Sequence, residues 1–140
     1  MHITTEHQDV LTQWLCDRIG YAPTPHIRCM GSISNDNQRI LGVVGYDGFN
    51  GASVVMHMAG EPHWIGKQIL HAAFDWPFNF MGCTQVLAFV PSGNTTALDM
   101  NKRLGFEVVT ELEGAHPDGS LFVMRMRREN CKWLAPRRTH

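Results

Sequence analysis

The feature that most constrains this sequence is a helix-like segment between two strand-like segments in the middle of the chain. Residues 52–58 are rich in β-forming side chains, residues 64–76 carry apolar side chains at helical spacing, and residues 84–90 are mostly apolar. A strand, a helix and a second strand in this order form a crossover connection, which is almost always right-handed and makes the two strands parallel. The sequence therefore predicts a parallel pair of strands at 52–58 and 84–90.

Polar turns and single glycines divide the rest of the chain into short elements. The expected elements are, in chain order, a helix over 6–19, strands over 26–33, 39–46 and 52–58, a helix over 64–76 that ends at Pro77, a strand over 84–90, a helix over 94–104, and strands over 107–112 and 121–127. The first three strands follow one another through short turns, which favours an antiparallel meander. This order predicts one α/β domain over residues 1–140. Its mixed sheet has an antiparallel front half, a central parallel pair, and helices on both faces.

Composition and charge exclude several classes of protein. A chain of 140 residues is about one domain long. Its net charge of −1 provides no overall field that would attract nucleic acid or an anionic membrane. No apolar run approaches the roughly 18–20 residues that span a bilayer, and the first residues lack the pattern of a signal peptide. We expect a cytoplasmic protein that does not bind membranes.

Neither the cysteines nor the histidines are spaced like metal ligands. The four cysteines form no CxxC pair, which indicates free thiols in a reducing compartment: Cys16, Cys29, Cys83 and Cys131. The eight histidines form no HExxH motif: His2, His7, His26, His57, His63, His71, His116 and His140. The closest set, His57, His63 and His71, requires a strand, a loop and a helix to converge, so no metal is expected.

Residues 90–106 carry the more specific of two motifs. They read Val-Pro-Ser-Gly-Asn-Thr-Thr-Ala-Leu-Asp-Met-Asn-Lys-Arg-Leu-Gly-Phe. A strand leads to Asn94, the small residue Ala97 follows three positions later, and the helix closes on Leu-Gly-Phe. This arrangement resembles the signature of the GNAT superfamily of acyl-CoA N-acyltransferases.

The loop before the helix at 64–76 carries the second motif in a reduced form. The family has Gln or Arg, two residues, Gly, one residue, and then Gly or Ala. Here Glu61 and Trp64 occupy the first two signature positions, and only Gly66 is kept. Residues 74–76, and residues 118–120 leading to 124–134, are also similar to the ribosomal-protein acetyltransferase branch and its small bacterial and phage relatives. The resemblance covers about residues 26–134.

The resemblance implies that acetyl-CoA binds, as a substrate, in a split between the parallel strands, where its pantetheine arm pairs with exposed backbone. Its pyrophosphate is expected on the free amides at the start of the next helix. Asn94 is expected both to cap its helix and to contact the cofactor arm. A backbone N–H near Met58 or Ala59 is expected to stabilise the oxyanion. The residues expected at the cofactor are Met58, Ala59, His63, Trp64, Ile65, Gly66, Lys67, Gln68, Asn94 and Ala97.

Acyl transfer to an amine also needs a base and an acid. His57 is the favoured base because it interrupts an apolar strand and imidazole titrates near neutral pH. It could instead lie on a solvated face of the sheet, since strand neighbours alternate faces. Glu61 and His63 are the next candidates. The resemblance places the acid, often a Tyr, at Asn101, whose amide does not titrate.

Three functions fit these observations. The first is an N-acetyltransferase that moves an acetyl group from acetyl-CoA to a protein N-terminus, a lysine or a small amine. The second is a non-catalytic module that binds acyl-CoA or another protein. The third is a phage-type relative that modifies nucleobases, which depends on the six Lys and Arg residues within 125–138. Trp133 and Leu134 could pack on a second copy to form a homodimer.

Overall fold

The computed structural model of the protein describes residues 1–134, and it shows a mixed α/β domain. Within this range the strands are β1 (His2–Thr4), β2 (Arg28–Ile33), β3 (Ile40–Asp47), β4 (Ser53–Gly60), β5 (Gln85–Pro91), β6 (Glu107–His116) and β7 (Gly119–Arg127). The α-helices are α1 (Gln8–Ile19), α2 (Lys67–Asp75) and α3 (Thr95–Leu104). All seven strands form one sheet in the order β1-β2-β3-β4-β5-β7-β6. The predicted fold class is confirmed. Part of the basic segment, Arg137 and Arg138, lies outside the described residues.

The structure differs from the prediction most clearly in two elements. The three-residue strand β1 was not predicted, and it pairs antiparallel with β2 at the edge of the sheet. The prediction that Pro77 ends the second helix is also wrong, because a π-helical turn, Trp76–Phe80, continues directly from α2. Pro77 lacks the N–H that would bond the carbonyl four residues earlier, that of Ala73. The Tyr46 hydroxyl donates to this carbonyl at 2.5 Å instead, so the proline leaves no buried group unpaired.

Helices cover both faces of the sheet, as predicted. One core joins α2 and α3 to the face of the sheet that carries Val54 and Met56. The second core, on the opposite face, joins α1 to β2 and β3. There, Leu15 packs directly on Gly45, since a Cβ built on that glycine would lie 2.4 Å from the leucine Cδ2. We call these two sides of the sheet the α2 face and the α1 face.

The parallel strands β4 and β5 separate along their length. They pair at three positions only: Ser53 with Gln85, Val54 with Val86, and Val55 with Leu87. The antiparallel pairing of β4 with β3 continues to Gly60. From Met56 onward, β4 therefore keeps its neighbour on one side and loses it on the other. This opening is the predicted split, and we refer to it as the gap.

Candidate functional site

The gap exposes backbone groups of β4. The Glu61 N–H donates to the Leu41 carbonyl at 2.7 Å, which makes these two residues a hydrogen-bonded pair of the β3–β4 ladder. Hydrogen-bonded and non-bonded pairs alternate along an antiparallel ladder. The N–H groups of Met58 and Gly60 therefore point away from β3 and into the gap. A ligand with amide groups could pair with them as an added strand would.

The same alternation shows that the N–H groups of the two residues expected to provide an oxyanion donor point in opposite directions. Met58 directs its N–H into the gap, while its side chain packs against the core of the α2 face. Ala59 is opposite Val43 in a hydrogen-bonded pair, so its N–H points towards β3. The expectation that Ala59 could donate is therefore corrected, and Met58 is the candidate that remains.

The loop that leaves β4 forms a tight turn. The Trp64 N–H donates to the Glu61 carbonyl at 3.3 Å, and Pro62 and His63 form the middle of the turn. His63 has a φ of 63°, in the left-handed region that side chains with a Cβ rarely adopt. Glu61 and His63 are both exposed. Either side chain can therefore reach solvent beside the gap, but the Trp64 amide is already bonded and is not free for a ligand.

Trp64 turns inward and anchors this loop to the sheet. Its side chain is buried, with 9% of the residue exposed. Its indole lies on two facing glycines: a Cβ added to Gly42 would be 2.1 Å from the ring, and one added to Gly60 would be 2.3 Å from it. Its ring therefore packs in the core and its amide serves the turn, while contact of Trp64 with a cofactor stays a prediction.

Helix α2 begins without a cap. Gly66 precedes it with extended backbone, and no side chain accepts a hydrogen bond from the first turn. The first amides of a helix have no partner within the helix, so those of Lys67 and Gln68 remain available. Both side chains are exposed, and a Cβ built on Gly66 would meet nothing within 4 Å. Open space, free amides and the positive end of the helix dipole together favour an anion here. Ile65 is half-buried and packs on the core.

Helix α3 begins differently. The Asn94 side chain accepts a hydrogen bond from the Ala97 N–H at 3.1 Å. The predicted cap is thus confirmed, whereas contact of Asn94 with a cofactor stays a prediction. Ala97 is a residue expected at the cofactor, and its amide is already bonded by this cap.

Asn101 lies at the other end of α3 and faces the core. It is buried, with 8% of the residue exposed, and its Nδ2 lies 3.9 Å from the Met124 sulfur. Asn94, seven residues earlier, is exposed. Asn101 therefore fills the expected position of the acid with a buried amide that cannot give up a proton.

His57 lies on the α1 face and is paired with a carboxylate. Its Nε2 lies 3.1 Å from Asp47 Oδ1, and the two side chains are 16% and 15% exposed. The other oxygen of Asp47 accepts a hydrogen bond from the Tyr21 hydroxyl at 3.1 Å. This bond to the carboxylate raises the pKa of Tyr21, so the hydroxyl stays protonated. The alternative of a histidine on a solvated face is wrong, because the His57 side chain is largely buried and the Tyr21 ring packs on it.

Sequence reasoning missed Asp47 and Tyr21. The register of β3 and β4 puts Gly45 opposite His57 and Asp47 opposite Val55, so the carboxylate is the diagonal neighbour of the imidazole on the same face. The two-residue alternation along β3, counted back from the turn, was the signal that could have identified Asp47.

The other histidines and cysteines were also considered as metal ligands. Among residues 1–134, no group of three or more His, Cys, Asp or Glu side chains is placed to hold a metal ion. His71 binds the Trp133 carbonyl at 3.1 Å, far from His57 in the sheet. All four cysteines are free thiols, as predicted, and burial raises the pKa of each. In the same stretch of chain, no helix has the length and apolarity to cross a membrane.

Two cavities lie away from the gap. One of about 350 Å³ lies between β1, α1 and the β2–β3 turn, and one of about 240 Å³ lies between Gln8, β2 and Trp76. Neither is lined by residues of β4, β5 or the start of α2. The candidate site, the gap beyond Val55 and Leu87, is therefore distinct from both cavities.

No protein-family model and no curated protein matches this sequence. Solved structures do match. A chimera of spermidine N-acetyltransferase SpeG from Vibrio cholerae with hSSAT has a TM-score of 0.73 and 13% identity, over 96% of this chain and 98% of that one. This chain has the GNAT fold. The Vibrio cholerae spermidine N-acetyltransferase in complex with CoA and spermine has a TM-score of 0.65 and 15% identity, over 87% of this chain and 76% of that one.

Proposed function

We propose that this protein is an acetyl-CoA-dependent N-acetyltransferase that acts on an amine. One observation carries the proposal: β4 and β5 separate after Val55 and Leu87, directly beside a helix whose first amides are free. The gap offers a linear row of backbone donors, and the helix start offers an anion site. Acetyl-CoA has the matching parts, a thin amide-containing arm and a pyrophosphate. Two solved neighbours, one of them in complex with CoA and spermine, have acetyltransferase names and the same fold.

The arm of acetyl-CoA would enter the gap and pair with the N–H groups of Met58 and Gly60. Its pyrophosphate would then meet the amides of Gly66, Lys67 and Gln68, and the Lys67 ammonium would add positive charge. Glu61 is exposed on the same loop, and its negative charge opposes the binding of the pyrophosphate. The glycine at 66 suits this arrangement because it leaves open space above the amides.

The chemistry assigns one role to each group. His57 takes a proton from the acceptor ammonium, and the freed amine lone pair attacks the thioester carbonyl carbon. The Met58 N–H donates to the oxyanion that forms. When the tetrahedral intermediate collapses, the C–S bond breaks and the amine nitrogen gives its second proton to water. The sulfur leaves as a thiolate and takes a proton from water, because Asn101 has no proton to give. His57 returns its proton to solvent, so that one proton is released in each turnover. The products are the acetylated amine and CoA.

The acceptor class is the finer part of the proposal. A protein N-terminus, a lysine and a small amine all supply the primary amine that this chemistry needs. The similarity of residues 118–134 to the ribosomal-protein branch favours a protein acceptor. The spermidine and spermine named for the solved neighbours favour a small amine.

A second candidate function is a module that binds acyl-CoA without turnover. Asn101 favours it, because the position of the expected acid holds a buried amide bound to a thioether. This candidate predicts the same affinity for acetyl-CoA and no acetylated product.

Calorimetric titration with acetyl-CoA tests the cofactor site. The control compares Gly66→Glu with Gly93→Glu, because each glycine precedes a helix and a Cβ on either one meets nothing within 4 Å. Binding that Gly66→Glu loses and Gly93→Glu retains supports the proposal. No binding at millimolar acetyl-CoA rejects it.

An acceptor screen then separates the two functions. The protein is incubated with acetyl-CoA and, in turn, a peptide with a free N-terminus, a lysine peptide with a blocked N-terminus, and a polyamine. Thiol release is measured, and product is confirmed by mass. We expect His57→Ala to lower turnover by about 100-fold or more, since about 100-fold is the lower end of the range for a lost general base. Binding with no product from any acceptor favours the non-catalytic module.

A further inference from the structure

We propose that Asp47 is a positioning residue, which holds His57 so that its Nδ1 is free to take the proton of the acceptor amine. The inference rests on the proposed function and adds a residue that the resemblance does not assign. It depends on the pairing of strands, on two hydrogen bonds and on the exposure of one ring nitrogen.

The sheet itself brings the two side chains together. Asp47 is the last residue of β3 and is opposite Val55, two residues before His57 on β4. Both side chains therefore project from the α1 face as diagonal neighbours. His57 Nε2 lies 3.1 Å from Asp47 Oδ1, which is within hydrogen-bond range, and both side chains are largely buried. The pair is thus fixed by strand register rather than by flexible loops.

The carboxylate determines which nitrogen of His57 carries the proton. A carboxylate only accepts hydrogen bonds, and neutral imidazole has a single N–H. Since Nε2 is the atom that faces Asp47 Oδ1, Nε2 must carry the hydrogen. Nδ1 then holds the lone pair and is the atom that can act as a base.

Nδ1 reaches solvent. It has no hydrogen-bond partner among the described residues, where His57 bonds through Nε2. Over the same residues, no side-chain nitrogen or oxygen is both buried and unpartnered. Nδ1 is therefore accessible, although most of the ring is covered. His57 also lies beyond Val55, the last β4 residue that pairs with β5, so the accessible nitrogen is beside the gap.

Tyr21 fixes the carboxylate from the other side. Its hydroxyl donates to Asp47 Oδ2, so each oxygen of Asp47 has one partner. The Tyr21 ring also covers the imidazole, with the ring centroids 5.0 Å apart and the planes at 37°. Tyr21 follows α1 directly, which links the position of the pair to the helix that covers this face.

The pair of His57 and Asp47 would orient the base before the proton transfer and stabilise its charge during the transfer. When Nδ1 accepts the proton, the imidazolium keeps its Nε2–H on Asp47, and the negative carboxylate stabilises the new positive charge. Asp47 gains no proton in this step. It acts only through His57, so its loss should lower kcat and leave KM for acetyl-CoA nearly unchanged.

The first test is a spectroscopic one on the unliganded wild-type protein. The ¹⁵N shifts of the His57 ring identify its tautomer at a pH where the ring is neutral, with His57→Ala used to assign the signals. We expect the Nε2–H form with an unprotonated Nδ1. The Nδ1–H form overturns the proposal, and this result does not depend on any activity.

The second test is kinetic. We expect Asp47→Ala to lower kcat at least about tenfold, because general-base catalysis contributes roughly 10²–10⁴-fold and a misoriented base loses part of it. Tyr21→Phe, which removes only the bond to Oδ2, should have a smaller effect. Asp36→Asn, in the exposed turn before β3, is the matched control and should retain wild-type kinetics. Thermal unfolding of each variant shows whether the fold is kept.

The outcomes separate this inference from the proposed function. If the wild type turns over and Asp47→Ala keeps its kcat within about twofold, below the range for a lost base, Asp47 has no positioning role. If the wild type binds acetyl-CoA and acetylates nothing, the proposed function itself fails. A tenfold loss of kcat with unchanged KM, together with the Nε2–H tautomer in the wild type, supports both.

Discussion

The two helices that follow the parallel strands begin in opposite ways. Helix α3 is capped by its own sequence, since the Asn94 side chain bonds the Ala97 amide. Helix α2 has no cap. Its start is held instead by Trp64, which lies three residues before Lys67 and packs its indole on the sheet. A side-chain cap consumes an amide that a ligand could use, whereas a packed indole does not. The comparison shows how a helix start can be fixed in place while its amides stay free.

Loss of the Trp64 side chain, which anchors the start of α2, should have the largest effect on the free energy of unfolding. Trp64→Ala removes a buried indole and leaves a cavity above Gly42 and Gly60. We expect a loss of about 3–5 kcal/mol in the free energy of unfolding, measured in urea. Phe49→Ala is the control: Phe49 is 50% exposed, so its truncation should cost less than about 0.5 kcal/mol. Equal effects of the two substitutions would show that Trp64 is no anchor.

Removal of the side-chain cap should have a moderate effect. Asn94→Ala leaves the Ala97 amide without its partner. We expect the free energy of unfolding to fall by about 1 kcal/mol. The affinity for acetyl-CoA should fall less than it does in Gly66→Glu. A larger loss of affinity than of stability would assign Asn94 mainly to the cofactor and weaken the contrast between the two helix starts.

Removal of one charge at the open helix start should have a smaller effect. Lys67→Gln should weaken acetyl-CoA binding by about 0.2–1 kcal/mol, because the side chain is exposed and its charge is screened by salt. Lys102→Gln, at the far end of α3, is the control and should not change the affinity. The difference between the two variants should shrink as salt is added to the titration. A difference that is independent of salt would contradict an electrostatic role.

Transfer of the cap to α2 should have the smallest effect on stability. In Gly66→Asn the new side chain can bond the first-turn amides, which we expect to stabilise the protein by a few tenths of a kcal/mol. The same bond competes with the pyrophosphate, so acetyl-CoA affinity should fall while the melting temperature rises. If stability and affinity rose together, the amides of α2 would not be the anion site.

The order of strands and helices was predictable because its signals are local. The meander, the crossover and the ends of α1 and α3 follow from alternating or helical spacing and from glycines such as Gly20 and Gly105. Strand β1 has three residues, too few to show a period. The continuation past Pro77 depends on Tyr46, a donor from a strand distant in sequence, which no local rule includes.

The candidate site residues proposed from the sequence each carried a signal of their own. His57 interrupts an apolar strand, and Gly66 matches the last glycine of the family motif. Asp47 was missed because its contact with His57 depends on the register of two strands. The packing of Trp64 was missed for the same reason: it requires Gly42 and Gly60 to face each other, which only strand pairing shows.

The hydrogen bond between the Tyr46 hydroxyl and the Ala73 carbonyl makes the identity of a residue in the sheet depend on the identity of a residue in the helix. With Pro77 present, loss of the hydroxyl would leave a buried carbonyl without a partner. With another residue at 77, the backbone N–H would return, and the carbonyl, which has two lone pairs, would keep a donor even without the phenol. The hydroxyl of Tyr46 should therefore be needed only where residue 77 is proline. Relatives without this tyrosine should also lack the proline, although the two residues lie 31 positions apart in the chain.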